Sequence, residues 1–273
     1  MLMPSLFVVA TPIGNLEDIS LRALRTLREV KLIAAEDTRK TRRLLTTYDI
    51  RTPMTSYYEH NKLTKLDYIL DRLQGGDVAL VSEAGTPGIS DPGYELILEV
   101  SRRGIPVVPI PGASAVITAL TISGLATDRF TYLGFLPHKA GERRKLIEGA
   151  ADDPGTIVIL ESPHRLAQAL KDMLTIMGDR RIAVCRELTK IHEEVFRGSI
   201  SQAIEHFVEP IGEFTLIIEG KLENHQTELT DDIKKQLRGM HLSGIKAKEA
   251  VTQMAGETGL SKKELYRAWL EQA

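Results

Sequence analysis

VSEAGTPGISDPG, residues 81–93, overlaps the end of the apolar run Val78-Ala79-Leu80-Val81 and holds three glycines and two prolines. Proline removes a ladder donor and glycine adds nothing to pack, so a strand ends here and the backbone turns sharply. A short, unbroken apolar run before such a turn suits a parallel strand covered on both faces. The pattern recurs twice. Leu6-Phe7-Val8-Val9-Ala10 leads into Thr11-Pro12-Ile13-Gly14-Asn15, and Val107-Val108-Pro109-Ile110 leads into Pro111-Gly112-Ala113-Ser114. Ligands of open α/β sheets gather at the carboxyl ends of strands, so the three loops are expected to converge on one pocket. The plainer alternative is that these residues only turn the chain.

Working outward, Ile19, Leu21, Leu24, Leu27 and Val30 recur at helical spacing after the first loop. Lys31 to Ala35 reads as a strand, Leu63 to Leu73 and Tyr94 to Arg103 as helices, and a long apolar helix runs to Gly124. This alternation predicts a parallel sheet covered by helices over residues 1–120. A second α/β domain is expected over 121–222, with strands at Thr131–Phe135, Thr156–Leu160, Ile182–Cys185 and Phe214–Ile218. Residues 223–273 begin as a polar linker and continue as a small helical appendage, in which Ser261 and Glu264 form a capping box. The fold class is therefore α/β, two such domains with a cleft between them and a helical C-terminal region.

The chain has 273 residues, 42% of them apolar, a formal net charge of −2 and a pI near 6.4. That balance excludes a uniformly basic nucleic-acid coat and leaves room for a local basic patch. The single cysteine, Cys185, can form neither an internal disulfide nor a cysteine zinc cluster, which suits the cytoplasm. No signal peptide and no membrane span is expected, since no apolar run approaches about 18 residues. Scattered histidines and acids lack metal-ligand spacing, so no metal is expected.

The opening loop has neither the Gly-Lys-Ser/Thr of a phosphate cradle nor GxGxxG. Its charged side chains, Glu83 and Asp91, would repel a pyrophosphate and suit a cationic or hydroxyl-rich ligand such as a sulfonium nucleoside. Glu36 and Asp37 end the second strand, where a carboxylate can take a proton or cap the helix that follows. Arg39, Lys40, Arg42 and Arg43 form either a solvated face or a grip on phosphates. Tyr57 to Asn61 can orient a substrate hydroxyl or form a polar turn with Asn61 as helix cap.

Together ATPIGNLEDISLRAL, AAEDTRKTRRLL, SYYEHN, VSEAGTPGISDPG, IPGASAVITAL, ESPHRL and RELTKIHEE followed by FRG resemble the bacterial small-subunit ribosomal RNA 2′-O-ribose methyltransferases. These are a branch of the tetrapyrrole-methylase-like S-adenosylmethionine enzymes, and the resemblance covers residues 5–221. It implies a homodimer of two α/β domains, S-adenosylmethionine in the cleft, and methylation of a cytidine ribose in small-subunit ribosomal RNA or the assembled 30S subunit. By motif it places Pro12, Ile13, Ala84, Gly85, Thr86, Ile89, Ser114, Ala115, Glu161, Ser162 and Leu188 beside the cofactor. Where the porphyrin and corrin branches have Gly-Asp-Pro, this chain has Gly85-Thr86-Pro87, and Glu83 or Asp91 would replace the missing acid. Asp37 occupies the position of the family's proton acceptor. On that footing Asp37 is the first candidate base, Glu36 the second and His60 an orienter or alternative base, with Arg39, Lys40, Arg42 and Arg43 holding RNA phosphates. The rivals are a tetrapyrrole methyltransferase and a non-catalytic ribosome-associated RNA-binding protein.

Overall fold

The computed structural model describes residues 4–59, 61–221, 229–258 and 260–271. The chain forms two compact units, Met1–Gly220 and Lys221–Ala273. The first unit begins with β1 (Leu6–Val9), α1 (Leu21–Glu29), β2 (Leu32–Ala35), α2 (Thr38–Thr47), β3 (Met54–Ser56), α3 (Lys62–Gln74), β4 (Val78–Val81), α4 (Tyr94–Arg102) and β5 (Val107–Ile110). These strands form a five-stranded, wholly parallel sheet in the order β3-β2-β4-β1-β5. Alternate side chains of a strand point to opposite faces, and here both faces are covered. Ala79 and Val81 pack with Leu27 of α1 and Leu44 of α2, while Val78 and Leu80 pack with Ile69 of α3 and Leu96 of α4. Each fully buried leucine or isoleucine contributes about 1.5–3 kcal/mol relative to exposure. β3 carries no apolar block of its own; it is a three-residue edge strand after Pro53, which conceals it in the sequence.

The same unit continues with α5 (Ala115–Ser123), β6 (Phe130–Phe135), α6 (Ala140–Ala150), β7 (Thr156–Glu161), α7 (Pro163–Met177), β8 (Arg181–Arg186), β9 (Glu194–Ser199), α8 (Ile200–His206) and β10 (Phe214–Ile218). The second sheet runs β6-β7-β10-β8-β9, parallel only between β6 and β7. Ile147 of α6, Leu166 of α7 and Ile200 of α8 cover one face. Val116, Ala119 and Leu120 of α5 cover the other, against Val158, Ala183 and Ile217. The expected boundary at residue 120 thus falls inside α5, which starts at the first sheet's rim and packs on the second sheet. Cys185 lies in this layer, its thiol pushed up to about 11 mainly by burial. β9 is an edge strand that the sequence hides within a polar run.

The second unit packs α9 (Asp231–Leu242), α10 (Ala247–Thr258) and α11 (Lys262–Leu270) around Leu237, Ala250, Met254, Leu265 and Trp269. Ser261 caps α11 by accepting from Glu264 N at 3.2 Å. The Glu264 carboxylate accepts the Ser261 hydroxyl at 2.7 Å, so the pair is bonded side chain to side chain as well as through the cap. Among the described residues no helix is long and apolar enough to cross a membrane.

Helix α2 shows how one residue is committed locally. Asp37 is its N-cap, with Oδ1 accepting from Arg39 N at 2.7 Å and Lys40 N at 3.1 Å. The Lys40 N–H bond, helped by the Arg39 N–H and both cationic charges, holds the carboxyl below its usual value despite some desolvation. We expect Asp37→Ala to lower unfolding stability by about 0.5–2 kcal/mol and Asp37→Asn to keep most of the cap, measured by urea titration. Because the folded carboxyl titrates below its unfolded value of 3.8, the wild type's extra stability over Asp37→Asn is present at neutral pH. It disappears as pH falls through the folded value.

Candidate active site

β1 sits between β4 and β5, so three strand ends share one sheet edge. From β1 the chain crosses towards β2 on one side, and from β4 it crosses to β5 on the other; the reversal opens a crevice beyond the β4 and β1 ends. Backbone bonds tie the loops there. Thr11 N donates to Gly85 O at 2.9 Å and Gly85 N to Thr11 O at 3.0 Å, an isolated antiparallel bridge. Thr86 Oγ1 donates to Ala113 O at 3.4 Å, joining the third loop. Gly85 has φ +79°, a region costly for residues with a Cβ, and a Cβ there would touch Ile13. The three bends therefore meet as the sequence led one to expect.

They wall a cavity of about 410 Å³. Ile13, Ala84, Gly85, Thr86, Ile89, Ser114 and Ala115 line it from the first sheet's loops. Glu161 and Ser162 line it from the end of β7. Two expected contacts do not reach it. Pro12 is buried within the first loop, and Leu188, 6% exposed, packs with Ile13 and Val116 beneath the wall. Tyr132, Phe135, Phe214 and Thr215 also line the cavity, and no local pattern marks them; only the pairing of β6, β7 and β10 brings them to this edge.

The charged lining residues are all acids: Glu36, Glu83, Asp91, Glu161 and Glu213. Three have cation partners, Glu83 with Lys40, Glu213 with Lys190 at 3.0 Å and Glu161 with Arg165 at 2.6 Å. Glu161 is 1% exposed and its Oε2 is buried with no partner. An orphaned carboxylate oxygen is costly unless a ligand donor completes it. Glu36 accepts from Glu83 N at 3.0 Å, and burial, then Asp37, raises its proton affinity against the pull of Lys40. Asp91 is pushed up to about 7 by burial first and the Glu36 charge second, with a Ser82 hydrogen bond opposing. Tyr132 is also raised by burial, while its hydroxyl sits 2.6 Å from Ser90 Oγ.

This donor set fits S-adenosylmethionine. Ile13, Ala84, Val116 and Leu160 give apolar surface, Gly85 brings bare backbone to the wall, Glu161 Oε2 awaits a donor, and carboxylates face a space suited to a cation. Of the expected bases, Glu36 lines the cavity and Asp37 does not, its carboxylate being turned into α2. His60 lies outside the described residues. Asn61 binds Tyr58 N and Ser56 and staples the turn before α3. Arg39, Lys40, Arg42 and Arg43 are exposed on α2; Lys40 reaches Glu83 at the cavity wall, and the three arginines make no ion pair among the described residues. A larger open groove of about 940 Å³, lined by Asn15, Tyr48, Lys190 and His192 among others, contains none of the candidates among the described residues.

Comparison with known proteins agrees with this geometry. Residues 5–204 match the family of tetrapyrrole (corrin/porphyrin) methylases. The chain is 46% identical to the ribosomal RNA small subunit methyltransferase I of Halalkalibacterium halodurans, over 97% of this chain and 94% of that protein. A protein of the same name from Synechocystis is also 46% identical, over 98% of each chain. Among solved structures, uroporphyrin III C-methyltransferase from Thermus thermophilus superposes with a TM-score of 0.59 at 21% identity, covering 79% of this chain and 97% of that one, a likeness of fold. With a family match over residues 5–204 and nearly full-length relatives at 46% identity, the chain belongs to the tetrapyrrole (corrin/porphyrin) methylase family.

Proposed function

We propose that this protein transfers the methyl group of S-adenosylmethionine to the ribose 2′-hydroxyl of a cytidine in small-subunit ribosomal RNA. The observation that carries the proposal is the 46% identity, over at least 97% of the chain, to two ribosomal RNA small subunit methyltransferase I proteins. The site supplies what such a reaction needs. When bound, S-adenosylmethionine provides a methyl group already activated by its sulfonium. The protein's task is to align that carbon with the incoming hydroxyl in a cleft sheltered from water. Ile13, Ala84 and Leu160 would hold the nucleoside, Glu161 would accept one of its donors, and a cavity-facing carboxylate would take the ribose proton. Asp37 serves this site by capping α2, which holds the basic face beside the wall.

The basic face of α2 suits this substrate: Arg39, Arg42 and Arg43 stand on an exposed helix whose Lys40 touches the cavity wall, where an RNA strand would bring phosphates to them. The reading includes a homodimer, as the resemblance implies, acting in the cytoplasm where ribosomal subunits are found.

Incubation with methyl-labelled cofactor and unmodified small ribosomal subunits should place label in the RNA, at one nucleotide that becomes resistant to alkaline cleavage. Label in protein or no label refutes the proposal. Arg42→Ala combined with Arg43→Ala should weaken RNA binding and reduce the slope of log affinity against log salt by about 1–2. Titrations at several salt concentrations read this directly, and an unchanged slope removes both residues from the RNA path.

A further inference from the structure

We propose that Asp91 is the proton acceptor in methyl transfer, acting in the same cavity wall as Glu36; this rests on the function proposed above. Asp91 stands on the loop that opens the sequence, and that loop is tightly held. Gly88 has φ +82°, Ser90 +62° and Gly93 +150°. A Cβ at Gly93 would lie 3.1 Å from both Gly88 N and Leu80 Cδ2. Immediately before Asp91, Ser90 Oγ meets the Tyr132 hydroxyl from the second sheet at 2.6 Å, and immediately after it comes Pro92. The carboxylate is thus presented to the cavity from a backbone with little freedom.

The other acids of the wall are committed. Glu83 is ion-paired with Lys40, Glu213 with Lys190 and Glu161 with Arg165. Asp37, which does not line the cavity, is held to the N-terminus of α2. Glu36 takes the Glu83 N–H. The charge that faces Asp91 is Glu36 from the end of β2; the Tyr132 phenol from β6, itself raised by burial, is neutral, and the Ser82 hydroxyl, which also donates to Ala84 O and Gly85 O, favours the ionised Asp91. Glu36 and Asp91 are both half-buried, and the Glu36 charge adds to burial in raising the Asp91 carboxyl to about 7, which suits it to receive a proton at neutral pH.

The step balances. The ribose 2′-oxygen forms a bond to the methyl carbon as the methyl–sulfur bond breaks, and that bond's electron pair remains on sulfur as a neutral thioether. The hydroxyl proton passes to Asp91. A hydroxyl, a sulfonium and a carboxylate become an ether, a thioether and a carboxylic acid, and the proton then leaves to solvent.

The test compares wild type, Asp91→Asn, Ser82→Ala and Glu36→Gln in single-turnover methylation of small ribosomal subunits across pH 5–9, with cofactor affinity measured separately by calorimetry. The wild-type rate should rise with pH through about 7, and Asp91→Asn should lose at least about 100-fold and lack that limb while binding cofactor within about threefold of wild type. Ser82→Ala, which removes a bond favouring the ionised form, should move the limb to higher pH. Glu36→Gln, which removes the repelling charge, should move it lower. Thermal melting gives a readout independent of turnover. Between pH 3.8 and about 7 the folded carboxyl keeps a proton that the unfolded chain has released, so wild-type stability falls as pH rises through that window. Asp91→Asn should melt above wild type at pH 8, the difference shrinking towards pH 5. If wild type methylates RNA and Asp91→Asn keeps its rate within about threefold, or if the limb ignores Ser82→Ala and Glu36→Gln, Asp91 is not the acceptor. If wild type itself transfers no methyl to RNA, the failure lies with the proposed function.

Discussion

The pair of backbone hydrogen bonds between Thr11 and Gly85 is the constraint on which the site depends. Two loops from strands far apart in sequence are fastened without any side chain, so the surface they present is backbone, close and rigid. The bridge needs Gly85 at positive φ, and its neighbour Thr86 reaches the third loop at Ala113. Everything lining the cavity from the first sheet is referred to these few bonds. Their strength comes from low exposure: Thr11 is 4% exposed, and a buried amide pair is expensive to part.

Around this frame the charges are sorted by neighbours. Three acids of the wall are ion-paired with a lysine or arginine, whereas Glu36 and Asp91, which form no ion pair among the described residues, retain protons more readily. A single wall thus combines ion-paired carboxylates with two whose proton affinity is raised. The basic face of α2 begins at the same place, because Lys40 is both the first turn of that helix and the partner of Glu83. Cofactor and RNA would therefore meet at the junction where acid gives way to base.

Much of this architecture was legible in the residues. β4 is buried on both faces and β1 lies inside the sheet, while β5 is a half-exposed edge strand, yet each is an unbroken apolar run, and the glycine- and proline-rich bends behind them mark the site. What escaped depends on distant partners. β3 and β9 are edge strands whose half-exposed residues carry no clean period. The antiparallel pairing of the second sheet is non-local, and with it went Tyr132, Phe135 and Phe214 as wall residues. For Asp37, a helix cap and a catalytic acid use the same side chain at the same strand end, and only the observed bonds to Arg39 and Lys40 distinguish them. Asp91 was visible in the opening stretch as an acid near the cofactor; its tuning by Glu36 required the fold.

Helix α5 has a mechanical role that its modest length conceals. Its capped first turn at Ser114 forms part of the cavity rim, while its body is keyed into the second sheet through Val116, Ala119 and Leu120. It behaves as a strut, converting the side-chain volumes beneath it into the gap between the two halves of the cleft. Enlarging Ala183, which never meets the ligand space, would lever Ser114 and so resize the opening. Evolution can in this way retune what the cleft admits while leaving every wall residue untouched.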